Sequence, residues 1–351
     1  MNQDWHNFLI ASGAQIHDGI VSDFGDATAE LLATRDGTVL CGLSQLGTLR
    51  ASGEEAETFL QNLLSNDIRE VGGKHAQLSS LNTAKGRMLG TMMIWRSGGD
   101  YLLQLPRVLC DTMRKKLGMY VLRAKVKITD ASDEIISLGL SGTDAQLILH
   151  ARLGELPQLP LGCINTEHGS VIRVNDTRWR INATPLQAQL LWAELSAGAR
   201  PVGSGCWDWL NIRSGIPVIL PQTQEQFVAQ MANLDLINGV NFKKGCYPGQ
   251  EIVARTQYLG KLKRRMYLAH IDTLAHIDSA DSPQAGDELF SADMEGQASG
   301  MLANAAAAPS GGYDVLAVLQ TSSRDTQTVH WKSLQGATLQ FLPLPYTLPQ
   351  N

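Results

Sequence analysis

Several features that would send a chain out of the cell or into a membrane are missing from this sequence. No apolar stretch in its 351 residues approaches the ~20 needed to cross a bilayer. Residues 1–19 carry no positively charged start followed by an apolar run, so no secretory leader is expected and the expected compartment is the cytoplasm. Cysteine is scarce and scattered: Cys41, Cys110, Cys163, Cys206 and Cys246 are odd in number, and no two form a C-x-x-C pair. Neither a disulfide framework nor a locally encoded zinc or iron–sulfur site is expected. His270 and His276 stand six apart in a β-like segment, too far to chelate one ion directly, and no permanently bound metal is expected. An excess of positive charge is also lacking. With 29 Lys and Arg against 34 Asp and Glu the net charge is −5, which disfavours a globally basic nucleic-acid binder but leaves room for a local basic patch.

What is present fits a globular protein of more than one domain. Hydrophobic residues make up 44% of the chain, and its length exceeds the roughly 250–300 residues at which one core stops growing. Thr38–Ala51 reads as one or two strands. Ser52-Gly53-Glu54-Glu55 matches a capping box ahead of Ala56, Phe59, Leu60, Leu63 and Leu64 at helical spacing. Ala76–Leu81, Arg87–Trp95 and Tyr101–Leu105 read as strands, the last two joined by a Ser97-Gly98-Gly99-Asp100 turn. Helical spacing returns over Val108–Leu117, and strands are expected at Val121–Thr129 and Glu134–Leu140. Thr143–Leu153, Pro185–Ser196 and Trp207–Arg213 are further helix candidates, so the class expected is α+β. After about Lys261 the segments become short and β-like, from Arg265–Ile271 through Thr338–Leu342, which suggests a small barrel or sandwich. Ala305–Ala308, ahead of Pro309-Ser310-Gly311-Gly312, reads as a loop.

One segment stands out chemically. In Phe242-Lys243-Lys244-Gly245-Cys246-Tyr247-Pro248-Gly249-Gln250-Glu251 two lysines precede a cysteine, and Gly245, Pro248 and Gly249 force an irregular backbone. A loop cysteine beside cations is the kind whose thiolate is stabilised. A lone cysteine is also commonly a small buried hydrophobe. Both readings stay open on these residues alone.

Lys244-Gly245-Cys246-Tyr247-Pro248-Gly249-Gln250-Glu251 closely resembles the K-G-C-Y-x-G-Q-E signature of the YgfZ family, folate-binding relatives of the glycine-cleavage T protein. The similarity extends to Phe59-Leu60-Gln61 and Ser65-Asn66-Asp67, to Ala84-Lys85-Gly86-Arg87, and to Ile212–Ile219. It continues through Pro221-Gln222, Ala232-Asn233-Leu234 and the final Pro343–Leu348, and is weakest between Leu153 and Val202.

The resemblance implies an α+β fold of three domains. Residues 1–48 and 132–260 would form a discontinuous folate-binding domain, 49–131 an inserted α+β domain and 261–351 a C-terminal β-barrel domain. It implies a ligand, tetrahydrofolate or a one-carbon derivative, with Trp207, Asn233, Tyr247, Gln250, Arg255 and Lys85 as candidate contacts. Cys246 would be the working thiolate and Lys244 its electrostatic partner. Leu46 stands where the family has a second ligand-contacting tryptophan and is not a candidate. Trp207 and Trp209 also read as the start of an amphipathic helix that packs into a core. Arg255, Lys261, Lys263, Arg264 and Arg265 read either as a holder for an anionic tail or RNA, or as a solvated strand edge.

The implied role is support of iron–sulfur enzymes, including those that thiomethylate tRNA, with iron–sulfur client enzymes as partners, an indirect link to tRNA and no membrane. A folate-dependent aminomethyl or other one-carbon transferase is the alternative. Leu89 and Gly90 stand where the T protein has an aspartate pair, and Arg213 where it has a glutamate, which argues against glycine-cleavage chemistry.

Overall fold

A computed structural model of the chain describes residues 1–258, 262–272 and 282–349. Lys261 and His276 lie outside the described residues. The chain divides into two compact units, one of Met1–Gln61, Asp67–Gln77 and Met92–Trp207, the other of Asn62–Asn66, Leu78–Thr91 and Asp208–Asn351. Among the described residues no helix is long and apolar enough to cross a membrane.

In chain order come helix α1 (Gln3–Ala11), strands β1 (Gln15–His17) and β2 (Ile20–Asp23), helix α2 (Ala27–Asp36), and strands β3 (Val39–Gly42) and β4 (Leu46–Ser52). Helix α3 (Ala56–Gln61) precedes β5 (Gln77–Asn82), β6 (Met88–Ser97) and β7 (Asp100–Pro106). Helix α4 (Cys110–Val121), β8 (Lys127–Asp130), β9 (Ile136–Ser141) and α5 (Ala145–Leu153) follow. Then come β10 (Cys163–Thr166), β11 (Gly169–Arg173), β12 (Arg178–Ala183), α6 (Pro185–Leu195), β13 (Arg200–Val202) and α7 (Ser204–Arg213). The remainder holds α8 (Gln250–Tyr258), β14 (Arg264–Ile271), β15 (Glu288–Phe290), β16 (Ala298–Ala307), β17 (Tyr313–Gln320), α9 (Thr321–Thr326), β18 (His330–Trp331) and β19 (Leu339–Leu342).

The first unit is organised by a six-stranded sheet of order β10-β11-β12-β9-β3-β13, antiparallel except for the β3–β13 pair. Alternation along two central strands assigns its faces. Leu138, Leu140, Trp179 and Ile181 join a core with Trp5, Leu9, Leu191 and Trp192, supplied by α1 and α6. Trp5 and Trp192 meet edge-on with centroids 5.7 Å apart. Helix α6 starts where it does because Thr184 caps it, its hydroxyl accepting from the Gln187 N–H, and Pro185 occupies the first turn at no hydrogen-bond cost. The intervening residues Ser137, Gly139, Arg178, Arg180 and Asn182 point the other way. Strands β6, β7, β4 and β8 stand side by side in that order in a separate sheet. From β7, Gln104 Nε2 donates to Ser137 Oγ (2.5 Å) and Asn182 Oδ1 (3.1 Å), so a polar layer joins the two sheets.

The second unit contains a six-stranded sheet of order β18-β15-β16-β17-β14-β19. A bridge between His330 and Thr338 brings its two ends together, so the sheet is curled. Ala269, Ile271, Val315, Ala317 and Trp331 line one face. Met266, Leu268, Leu316 and Val318 line the other, against Ile212, Ile219, Phe227, Leu234 and Val253. Near the end of the chain the Tyr346 hydroxyl donates to the Gly215 carbonyl at 2.8 Å. Gly215 has φ +64°, and a Cβ there would lie 2.6 Å from the Tyr346 ring.

Several expectations need correction. The Ser52 capping box does not form: Ser52 ends β4, the Glu55 carboxylate accepts the Lys125 N–H at 2.6 Å, and α3 stops at Gln61. The strand expected over Val121–Thr129 is mostly helix end and turn, with only Lys127–Asp130 in β8, which pairs with β4. Ala305–Ala307 continue β16, because Ala305, Ala306 and Ala307 pair with Val315, Asp314 and Tyr313. Helices α1 and α2 precede the first strand the sequence suggests, each started by a side-chain cap, from Asn2 and Asp26.

Two glycines give opposite expected outcomes for the same substitution. At Gly139 a Cβ would sit 2.5 Å from the Trp207 ring, so Gly139→Ala lowers stability by about 1–3 kcal/mol in urea unfolding. Gly118 lies inside α4 with nothing within 4 Å of a Cβ, and Gly118→Ala raises stability by up to about 1 kcal/mol.

Candidate functional site

In the second unit, the loop before α8 alternates between anchors and open positions. Lys244 is buried at 6% exposure and Tyr247 at 6%, while Gly245 and Cys246 between them are exposed. A buried ammonium needs oxygen partners, and Lys244 Nζ finds them in the carbonyls of Leu64 (2.5 Å) and Asn66 (3.1 Å). The same ammonium lies 5.0 Å from the centre of the Tyr247 ring, a cation–π contact. Burial pushes the Tyr247 phenol up to about 12. The tip itself is open: a Cβ on Gly245 would meet nothing within 4 Å. Among the described residues the Cys246 sulfur has no hydrogen-bond partner.

The segment that receives Lys244 is held just as firmly. Ser65 Oγ donates to the Gly239 carbonyl at 2.8 Å, and Asn66 Nδ2 donates to the carbonyls of Asn238 (2.7 Å) and Leu78 (2.9 Å). The Asn241 N–H donates to the Ser65 carbonyl at 3.0 Å. Ser65-Asn66, singled out in the sequence, therefore serves as the seat of the cysteine loop.

A second contact comes from the β5–β6 hairpin. The Thr83 N–H donates to the Arg87 carbonyl and the Gly86 N–H to the Thr83 carbonyl, which closes a tight turn with Lys85 exposed at its tip. Gly249 lies against this turn so closely that a Cβ would fall 2.4 Å from the Gly86 Cα. Both glycines have positive φ, +72° at Gly86 and +78° at Gly249. The structure thus brings the Lys85 hairpin and the Cys246 loop together. Gln250 opens α8 and donates to the Lys244 carbonyl at 3.4 Å, while Arg255 is exposed in its last turn.

Asn233 is fully buried and left-handed, with φ +56°. Its Nδ2 donates to the Met266 carbonyl at 2.8 Å, and its Oδ1 accepts from Arg265 at 3.3 Å. Arg265 also forms a forked pair with Asp235, at 2.8 and 3.1 Å. Of the basic run, Arg265 is therefore an interior ion-pair member, whereas Lys263 is exposed.

Trp207 belongs to the first unit. It is 1% exposed and packs over Gly139, with the guanidinium carbons of Arg178 and Arg180 at 4.3 and 5.9 Å from its ring centre. Arg180 also donates to Gln104 Oε1 at 2.6 Å. The buried N–H groups Trp207 Nε1 and Asn182 Nδ2 have no protein acceptor among the described residues. Sequence reasoning missed Arg178, Arg180, Asn182 and Gln104. Arg178-Trp179-Arg180-Ile181-Asn182 alternates like a strand with one face in solvent, and nothing local signals that the polar face is enclosed by a second sheet.

The GCVT N-terminal domain family model matches residues 20–244. A protein of Enterobacter sp. named tRNA-modifying protein YgfZ is 28% identical over 314 residues, covering 89% of this chain and 94% of the relative. One of the same name from Shigella boydii is 28% identical over 301 residues, covering 85% and 90%. Among solved structures, the glycine cleavage system aminomethyltransferase T of Bartonella henselae superposes with a TM-score of 0.79 at 17% identity, covering 98% of this chain and 97% of that one. The expected α+β fold of the T-protein type is borne out by this superposition. The family match spans well over half of the sequence, and the chain belongs to the GCVT N-terminal domain family.

Proposed function

We propose that this chain is a folate-binding protein acting in tRNA modification, where it supports assembly or repair of the iron–sulfur enzymes that thiomethylate tRNA, with Cys246 as its working thiol. The observation that carries this reading is the Cys246 tip, a solvent-exposed thiol held between two buried anchors, Lys244 and Tyr247. The relatives named as tRNA-modifying proteins support the tRNA setting. An exposed thiol on a fixed backbone is available to a client protein without a large ordering cost.

In this reading Lys244 is a positioning residue. Its ammonium is engaged by Leu64 and Asn66, and it fixes the backbone two residues before the thiol. Asn233 acts at the same remove, through Arg265, Met266 and Tyr346. Lys85 and Arg255 are exposed cations suited to an anionic ligand group, and Gln250 and Tyr247 frame the loop.

Folate is assigned to the first unit on one observation: the buried donors Trp207 Nε1 and Asn182 Nδ2 lack acceptors, which a pterin has in number. When bound, a reduced folate supplies a carrier for a one-carbon unit. Trp207 Nε1 and Asn182 Nδ2 would donate to its ring, and the enclosing sheets would exclude water. Glycine-cleavage chemistry gains nothing from the second unit. Leu89 and Gly90 are buried strand residues without a carboxylate, and Arg213 pairs with Asp314 at 3.5 Å.

Titration with tetrahydrofolate gives saturable binding, and Trp207→Phe, which keeps an aromatic ring and removes the donor, weakens it about tenfold, the value of one hydrogen bond. Unchanged affinity in that variant, or no binding by the wild type, rules out the pterin site. Cys246→Ala abolishes restoration of thiomethylated tRNA in cells lacking the protein and leaves Tm unchanged, whereas Lys244→Met lowers stability by about 1–3 kcal/mol through two stranded carbonyls. Full restoration by the Cys246→Ala variant rules out the thiol.

A further inference from the structure

The end of α4 has a composition at odds with the rest of this acidic chain. Residues 107–127 hold Arg107, Arg114, Lys115, Lys116, Arg123, Lys125 and Lys127 against one acidic residue, Asp111, while the whole chain carries −5. Local pairing absorbs only part of this charge. Arg107 reaches Asp133 at 2.8 Å, Asp111 is shared by Arg114 (2.8 Å) and Lys115 (2.6 Å), and Lys125 reaches Glu54 at 2.8 Å. Among the described residues Lys116, Arg123 and Lys127 have no ion-pair partner.

The apolar residues are placed as unusually as the charges. Cys110, Met113 and Leu117 turn the inner stripe of α4 into the core. Outside, Lys116 and Tyr120 lie one turn apart, as do Lys115 and Met119. Met119 is 69% exposed, Tyr120 41% and Leu122 89%. Leu122 also has φ +45° with ψ −102°, a backbone conformation that L side chains rarely adopt. Backbone strain and an exposed leucine thus coincide at one residue, a combination that folding stability alone disfavours and that marks functional surface.

We infer that the end of α4 and the turn into β8 form an RNA-binding surface. Lys115, Lys116, Arg123 and Lys127 meet backbone phosphates, Tyr120 stacks on a base, and Met119 and Leu122 pack around it. The inference rests on the tRNA setting proposed above and takes it further, since it gives the chain direct contact with RNA in place of a link through client enzymes alone. An anionic bilayer shares the charge, but a helix lying in a membrane needs a continuous apolar face. The apolar face of α4 is already consumed by Cys110, Met113 and Leu117.

The test is fluorescence anisotropy of the full chain with a labelled, unmodified tRNA transcript over about 50–200 mM KCl. The wild type binds, and its affinity falls with salt. Joint replacement Lys116→Gln, Arg123→Gln and Lys127→Gln weakens binding roughly 10- to 100-fold and flattens the log–log salt slope by about 2–3. Tyr120→Ala weakens binding about tenfold with the slope kept, Tyr120→Phe binds like the wild type, and Lys332→Gln, on the other unit, changes nothing. Unchanged binding by the triple variant, with its Tm intact, overturns the surface. So does absence of transcript binding by the wild type, including the case in which equimolar phosphatidylglycerol–phosphatidylcholine vesicles capture it instead. The tRNA setting fails separately, by normal thiomethylated nucleosides in cells lacking the protein.

Discussion

A single buried ammonium anchors the loop that carries the exposed cysteine. Lys244 gives up water for the carbonyls of Leu64 and Asn66 and for the face of Tyr247. Removing an ammonium from water is costly unless oxygens replace the lost hydration, so the groups that receive Lys244 must themselves be fixed. Ser65 and Asn66 do this by bonding to Gly239, Asn238 and Leu78. The chemistry of an exposed cysteine therefore depends on hydrogen bonds made by residues some 180 positions earlier, and the charge beside the thiol in sequence is directed away into the interior.

The first unit solves a related problem with arginine. Strands β9 and β12 send their apolar residues to one core and Arg178, Arg180 and Asn182 to the opposite face, where Gln104 and Trp207 meet them. Two nearly buried guanidinium groups on an indole fix its position far more closely than apolar packing would, because each planar cation has both a stacking direction and donor directions to satisfy. Gly139 completes the arrangement by leaving room for the ring.

Much of the fold was legible where local chemistry and final environment agree. The Ser97–Asp100 turn was readable because two glycines with positive φ suit a tight hairpin. Pro185 marked the start of α6, and the strands β14 and β19 emerged close to their observed limits. The misses share a cause. Glu55 found a backbone donor at Lys125, distant in sequence, in place of the local cap, and Ala305–Ala307 became strand because Tyr313–Val315 pair with them. At the site, the sequence pointed to the cysteine loop as a whole but not to the opposed fates of Lys243 and Lys244, one exposed and one buried. The cationic cluster at the end of α4 was hidden by a net charge that averages over it, and by a turn, residues 122–126, that reads as part of a strand.

The contact between Gly86 and Gly249 joins two stretches that read as independent motifs. Backbone packs directly on backbone there, with no side chain to act as a spacer or to give way. The Lys85 turn and the cysteine loop consequently share one frame, in which a side chain added at Gly249 would collide with the turn. A transplant of the Cys246 loop onto another scaffold would have to bring the hairpin with it, since the loop owes its shape to a partner more than 150 residues away in the chain.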